Sequence, residues 1–299
     1  MEIRVLRYFL AVAQEGSITQ AAKVLHVTQP TLSRQLMELE KEMGQTLFIR
    51  GSRRISLTEE GLLLRQRADE ILSLIDKTLT EFSAMEDSSV RGEIRIGCGE
   101  GEAVRFIAKT LTALRPSYPL IQSRFYSGNA ADVLDKLDKG LIDFAVVFGM
   151  ADVTKYHYLR LPGAHSWCLL MPKDCQLSQK AVITPADILS LPLICSAQAL
   201  EQNEFSGWLG VPVEQLHIVS IYNLVYNAAL LAQEGLGYVL AFDRLVPTGP
   251  DSPLCCRPLF PAIEAVPYLL WKHSQRFSKA SRIFLAHLRH DLMNLAEDH

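Results

Sequence analysis

The stretch Gly16-Ser17-Ile18-Thr19-Gln20-Ala21-Ala22-Lys23-Val24-Leu25-His26-Val27-Thr28-Gln29-Pro30-Thr31-Leu32-Ser33-Arg34 decides how this 299-residue chain is read. Gly16 ends one helix, and Ser17 followed three places on by Gln20 fits a capping box that opens a second. Ala21, Ala22 and Leu25 give that second helix, of about two turns, an inward face small enough for close packing. Thr28 then caps a third helix, where Pro30 is tolerated because a first-turn N–H has no intrahelical partner to lose. Upstream, Leu6, Phe9, Leu10 and Ala13 repeat at 3, 4 and 7 and predict a helix over 3–14. Leu32, Leu36, Leu39 and Met43 form the buried face of the third helix. Pro30, Arg34, Met37 and Lys41 project opposite it, flanked by Gln29, Thr31 and Ser33. After Gly44, Thr46 to Arg50 and Ile55 to Leu57 read as two short strands around the basic turn Gly51-Ser52-Arg53-Arg54, which is a wing.

Further out, Thr58 caps a long helix running to about Met85, with Leu64, Ala68, Ile71, Ile75 and Phe82 spaced by 4, 3, 4 and 7. A heptad-like apolar stripe on an otherwise acidic helix predicts a face for a second chain, the alternative being packing on the chain's own C-terminal domain. Asp87, Ser88, Ser89 and Arg91-Gly92 mark a hinge. Beyond it strands and helices alternate: strand 93–97, helix 103–115, strand 120–126, helix 130–139, strand 142–148. A second set follows: strand 167–171, helix 185–190, strand 193–195, a helix near 199–209, strand 216–220, helix 223–234 and strand 238–242. Strand 267–271 and a helix over about 277–296 close the chain. Such alternation predicts an α/β architecture with a largely parallel sheet.

The chain is long enough for about two domains. Its 48% hydrophobic and 21% charged residues are those of a globular protein. The longest apolar runs fall well short of the 18 or more residues that cross a bilayer, and no signal peptide is read at the N-terminus, so the expected location is cytoplasmic. The net charge of −3 hides an asymmetry: residues 1–57 hold eight Lys or Arg against five Asp or Glu, whereas residues 58–87 hold three against eight. Basic charge is concentrated where a phosphate backbone would need it. The six cysteines, at 98, 168, 175, 195, 255 and 256, show no CxxC or zinc-finger spacing and are expected to be buried reduced thiols.

Three helices, the third with a polar outward face, followed by a basic wing, make a winged helix-turn-helix, whose third helix suits the major groove of double-stranded DNA. Residues 1 to about 89 resemble the N-terminal domain of LysR-type transcriptional regulators. Leu6 to Phe9, Gly16-Ser17, Ala21-Ala22, Leu25, Thr28-Gln29-Pro30, Leu32-Ser33, Leu39-Glu40, Gly44, Leu47-Phe48, Leu57-Thr58 and Gly61 carry the resemblance. Gly92 to Gly97, Tyr118-Pro119, Gly128, the stretch from Gly140 to Val147 and Gly235-Leu236-Gly237 extend it more loosely over the rest.

The resemblance implies a winged helix-turn-helix domain over 1–58, a linker dimerisation helix over 59–89 and an effector-binding domain over 90–299. That last part would resemble a periplasmic binding protein, with lobe I over about 90–162 and 266–299 and lobe II over about 163–265. DNA contacts are implied for Thr28, Gln29, Pro30, Thr31, Ser33 and Arg34, with Ser17 able to donate to phosphate while capping a helix, and for Arg50, Arg53 and Arg54 on the wing. Leu64, Ala68, Ile71, Ile75 and Phe82 would meet another copy in a homodimer or homotetramer. RNA polymerase and a small-molecule effector are the further implied partners, with no cofactor, metal or membrane. The effector cleft would be lined by Cys98, Gly99, Glu100, Gly101, Glu102, Gly128, Asn129, Phe148, Gly149, Tyr222 and Asn223, together with the segment around residues 197–202.

Glu100 and Glu102 depart from the family pattern, in which a Ser or Thr at a helix N-terminus suits a carboxylate. A carboxylate turned into the cleft would favour an amine-bearing or hydroxyl-rich neutral effector; the alternative is that both acids complement a helix dipole. Gly97, Gly99 and Gly101 do not form a dinucleotide loop, because the third glycine of that motif would fall at Glu102. His287 and His290 with Asp291 lack a third metal ligand by spacing, and Phe205 and Trp208 read as core. No nucleophile or metal constellation points to an enzyme. The rivals are an α/β solute-binding or enzymatic domain with an accessory N-terminal module, and a ligand-free nucleoid protein whose cleft is filled.

Overall fold

Gly16 sits in the left-handed region at φ 62° and donates its N–H to the Val12 carbonyl, closing α1 (Ile3–Glu15). The side chain of Ser17 then accepts the Gln20 N–H at the start of α2 (Ile18–Val24). The turn that follows contains no glycine; His26 itself takes φ 53°. Thr28 caps α3 (Gln29–Met43), accepting the Thr31 N–H with Pro30 in the first turn. The wing is an antiparallel pair, β1 (Phe48–Arg50) and β2 (Ile55–Leu57), and α4 (Glu59–Ser83) follows. These coordinates are a computed structural model that describes residues 1–51, 54–83, 90–149 and 154–297. Ser52, Arg53 and the hinge residues Asp87, Ser88 and Ser89 lie outside the described residues.

Val5, Leu6, Phe9 and Val12 of α1 close over Ala21, Ala22, Leu32, Leu36 and Leu39 in one core. Two alanines at the crossing let the helices approach closely, as a helix-turn-helix requires. Glu40 ties the wing to α3 by accepting the N–H groups of Leu47 and Phe48. Met43, expected in the buried face, is 40% exposed, because α3 ends at Gly44 beyond the reach of the core. The larger revision concerns α4. Leu64 and Ala68 are buried in this same core and Ile71 packs against it, so these members of the apolar stripe are taken up by their own domain. The stripe comes free further on, where Leu74, Leu79 and Phe82 are exposed.

The chain divides into two compact units, Met1–Glu86 and Asp87–His299. In the second, Arg91 and Gly92, expected at a hinge, already belong to β3 (Arg91–Cys98). Then come α5 (Ala103–Leu114), β4 (Leu120–Ser127), α6 (Ala130–Asp138), β5 (Phe144–Phe148) and β6 (Tyr156–Arg160). There follow β7 (His165–Pro172), α7 (Pro185–Ile188), β8 (Leu193–Ser196), α8 (Ala197–Glu201), α9 (Ser206–Leu209), β9 (Ile218–Tyr222) and α10 (Val225–Gln233). The last elements are β10 (Tyr238–Phe242), β11 (Leu254–Pro258), β12 (Glu264–Ala265), β13 (Pro267–Lys272) and α11 (Lys279–Glu297).

Two sheets result, in the orders β4-β3-β5-β13-β6 and β11-β7-β10-β8-β9, with β12 paired to β7. They are mixed rather than largely parallel. In the first, β3 runs parallel to β4 and β5 while β13 is antiparallel to β5 and β6. In the second, β8 is parallel to β9 and β10 while β7 is antiparallel to β10 and β11. Each antiparallel strand, β13 or β7, has just crossed from the other sheet. β6, β11 and β12 were not anticipated from the sequence because they are short and lack an apolar alternation.

Alternation shows plainly on β5, where Phe144, Val146 and Phe148 enter one core and Ala145 and Val147 the other. Buried Asp143 holds three elements by accepting the Arg95 N–H and the Ser281 hydroxyl. The expectation of six reduced thiols is corrected at one pair: β11 lies beside β7, and Cys168 and Cys256 form a disulfide with Cα atoms 6.0 Å apart. Cys98, Cys175, Cys195 and Cys255 are free thiols, and burial pushes Cys195 up to about 12.

Phe144 is fully buried against Phe277, Phe284 and Trp271. Phe144→Ala is expected to cost about 3–5 kcal/mol. Urea unfolding followed by tryptophan fluorescence measures it, and a loss below 1 kcal/mol would remove Phe144 from the centre of that core.

Candidate functional site

Two surfaces carry chemistry, one on each unit. On the first, Thr28, Gln29, Pro30, Thr31 and Arg34 are exposed at the start of α3, and Ser33 is half-buried beside them. They are exposed because the core takes only the Leu32, Leu36 and Leu39 side of the helix. Among the described residues Arg34 is held only by Glu38, at 3.9 Å, with both side chains more than 60% exposed. Such an open pair is weak and easily exchanged for another anion. Ser17 serves as a helix cap, while Arg54 is exposed just before β2. Arg50 ends β1, and Arg53 lies outside the described residues.

On the second unit, a cleft with a cavity volume of about 60 Å³ opens between the two sheets. Of the residues expected to line it, Gly99, Glu100, Gly128, Asn129, Phe148, Tyr222 and Asn223 do so. Cys98, Gly101 and Glu102 line an adjoining recess instead, and Gly149 lines neither. Gly101 has a packing reason: a Cβ there would fall 2.1 Å from Phe148 Cζ and 2.9 Å from His165 Nε2. The absence of a side chain lets the loop settle on both rings.

The two acids part company. Glu102 sits at the start of α5 and is bonded to Arg105, which together with the guanidinium's charge holds its carboxyl below the usual range. Glu100 crosses the cleft, where its Oε2 accepts the Val225 N–H, 2.9 Å away, at the first residue of α10. Gln198 Oε1 makes the converse bond, accepting the Ala130 N–H, 2.9 Å away, at the first residue of α6. Asn129 Oδ1 accepts the Asp132 N–H and Asn223 Oδ1 the Leu224 N–H. The N–H groups of Ala130, Asp132, Leu224 and Val225 are therefore engaged by the chain itself.

Sequence reading missed several residues here. Trp167, Phe242 and Phe148 form a run of rings, with centroids 4.4 Å and 5.3 Å apart. Glu204 accepts from Trp167 Nε1, 3.0 Å away, and burial raises its pKa. It reaches the cleft because the helix expected near 199–209 is broken at Asn203, which takes φ 53° and separates α8 from α9. An Asn in mid-helix is the one local sign of that break. His165, wholly buried, joins the sheets: its Nε2 accepts the Glu102 N–H, 2.8 Å away, and its Nδ1 faces Asp243 Oδ1 at 3.1 Å. Accepting at Nε2 places the single ring proton on Nδ1. No pattern in the sequence marks it.

Residues 3–62 match the family described as bacterial regulatory helix-turn-helix protein, lysR family, and residues 87–293 match the LysR substrate binding domain. The HTH-type transcriptional regulator BsdA of Bacillus subtilis (strain 168) is 34% identical over 200 residues, 65% of this chain and 66% of that one. The aligned stretch thus spans just under two thirds of that relative. The HTH-type transcriptional regulator IlvY of Escherichia coli (strain K12) is 28% identical over 217 residues, 70% of each chain. In fold, the chain is similar to full-length CbnR in its crystal structure with target DNA, with a TM-score of 0.73 at 18% identity over 97% of this chain and 99% of that one.

Burial raises the pKa of Glu204, so the folded protein binds that proton more tightly than the unfolded chain does. Its ionised form therefore costs stability above the raised value, and the cost fades as pH falls toward the ordinary 4.5. Glu204→Gln, which cannot ionise, is expected to show a higher urea midpoint than the parent at pH 8, with the gap closing toward pH 4.5. A gap that is constant with pH would mean that Glu204 is solvated.

Proposed function

The chain belongs to the LysR family of transcriptional regulators, and from that premise we propose which of its residues grip DNA and how its copies assemble. The observation that carries the reading is the exposed edge from Thr28 to Arg34 at the start of α3, left clear of the core and followed by a wing. Gln29 and Arg34 read base edges in the major groove, because an amide and a guanidinium each make paired hydrogen bonds there. Thr28, Thr31, Ser33 and Ser17 steady the helix on the backbone, and Arg50, Arg53 and Arg54 hold phosphates from the wing. The work is binding rather than catalysis, carried out in the cytoplasm where the DNA lies, with RNA polymerase as a further partner.

Assembly uses the free end of the α4 stripe. Ile75 is half-buried and Leu79 and Phe82 are exposed on the same helical face, whereas Leu64, Ala68 and Ile71 are engaged in the domain core. Pairing of two such stripes supplies a homodimer, from which a homotetramer is built, and places two heads on two half-sites. A small molecule in the cleft of the second unit modulates DNA contacts. Its presence is testable by thermal shift against a metabolite library, where a stabilising compound should also change operator affinity.

Arg34→Ala is expected to weaken operator binding by about 1–3 kcal/mol and relax sequence preference. Arg54→Ala should weaken all sequences alike and make the salt slope shallower by about one. Titrations at several salt concentrations separate the two, and an Arg34→Ala protein with unchanged operator affinity overturns the base-reading role.

Phe82→Glu would place an unpaired charge inside the association stripe and is expected to reduce self-association at least tenfold, while Leu79→Ala reduces it less. Light scattering and sedimentation read the mass. Native mass and normal operator binding in Phe82→Glu would move the interface elsewhere.

A further inference from the structure

The cleft presents a carboxylate with no ion pair among the described residues in an aromatic lining, and four backbone donors at its helix starts, those of Ala130, Asp132, Leu224 and Val225, are engaged. The N–H groups at the starts of α10 and α6 bond to Glu100 and Gln198. Asn129 and Asn223 turn their carbonyl oxygens to neighbouring N–H groups. Among the described residues, no Lys, Arg or His lines this cleft. Arg244, next to the rim residue Leu245, bonds to Asp243 and the Ala164 carbonyl. Among the described residues lining this cleft an anionic ligand would meet no cationic side chain, Arg244 belonging to the adjoining recess.

The two cleft carboxylates differ in their compensation. Glu100 lies at the positive end of α10, whose dipole offsets part of its charge. Glu204 receives one neutral N–H, from Trp167, and makes no ion pair among the described residues. Its partner Trp167 adjoins Phe242, which is continued by Phe148, and all three rings line the same cleft. A carboxylate in a cleft lined by aromatic rings attracts a soft cation, because ring quadrupole and negative charge act in the same direction. Tyr222, the fourth ring, directs its hydroxyl to the Leu240 carbonyl and so presents carbon rather than a donor.

We infer that the effector is a small organic cation, an alkylammonium or quaternary ammonium compound, held by Glu204 as counterion against Trp167 and Phe242. The inference rests on the cleft being the effector site. Glu100 acts here as a latch between the lobes, and its carboxylate is a secondary attraction. No covalent step is involved; the ligand neutralises a charge that the fold leaves exposed to an apolar wall.

The test uses three isosteres of one shape with the full-length protein in a calorimeter at pH 8: tetramethylammonium chloride, tert-butanol and sodium pivalate. Tetramethylammonium is expected to bind at least tenfold more tightly than tert-butanol, with no heat from pivalate. Glu204→Gln, whose amide oxygen still accepts from Trp167, should lower tetramethylammonium affinity about tenfold or more and leave tert-butanol unchanged. Phe242→Leu should lower it as well, and gives a second variant if the first is poorly folded. Glu100→Gln, which keeps the bond to Val225, should lower it less than Glu204→Gln. Pivalate binding best, or tetramethylammonium binding indifferent to Glu204→Gln, overturns the cation assignment while leaving the cleft as an effector site. Silence from all three probes also overturns it, and the effector reading is then judged separately by the metabolite screen.

Discussion

A helix N-terminus leaves backbone N–H groups without intrahelical partners, and two such ends, of α6 and α10, open onto one cleft. At each, the first N–H is taken by a side chain from the opposite lobe, Gln198 for α6 and Glu100 for α10. The lobes are thereby joined by bonds to backbone donors, which are strongest when an acceptor is ionised. His165 adds a third tie, linking the Glu102 N–H of one sheet's loop to Asp243 after the other sheet's β10. The arrangement commits the amide oxygens of Gln198, Asn129 and Asn223, and leaves their NH2 groups and the Ser196 hydroxyl in the same lining as the carboxylates of Glu100 and Glu204.

The same need to satisfy or bury explains the first unit. Its core is small and is completed by the start of α4, so Leu64 and Ala68 serve the domain before the helix runs clear of it. One periodic stripe is therefore buried at its start and exposed toward its end. Heptad spacing is identical in both halves, since side chains at these intervals share a face whatever covers that face. Only the placement of α1 and β2 against α4 separates the residues engaged internally from Leu79 and Phe82, which stay exposed.

The wing and the third helix divide labour in a comparable way. Leu32, Leu36 and Leu39 anchor α3 from beneath, and Glu40 draws in the backbone of Leu47 and Phe48. With the inner face fixed at both ends, the outer edge from Thr28 to Arg34 stays exposed with only local contacts, Thr28 to Thr31 and Arg34 to Glu38, among the described residues. A rigid support beneath an uncommitted polar edge is what positions side chains for another molecule.

Local physics in the sequence determined the helix-turn-helix, its caps and the alternation of strands and helices beyond residue 90. Caps at Ser17 and Thr28, a stop at Gly16 and apolar periods act over a few residues, and they appear as such in the folded chain. Much of the cleft was legible too, through Glu100, Asn129, Phe148 and Tyr222. Tertiary structure alone decided the rest. It paired β7 with β11 and so joined Cys168 to Cys256; it turned Glu204 inward at Asn203; and it brought His165 against Glu102 and Asp243. Each of these joins residues tens of positions apart or depends on one backbone angle, and neither leaves a period or a spacing that a local reading can detect.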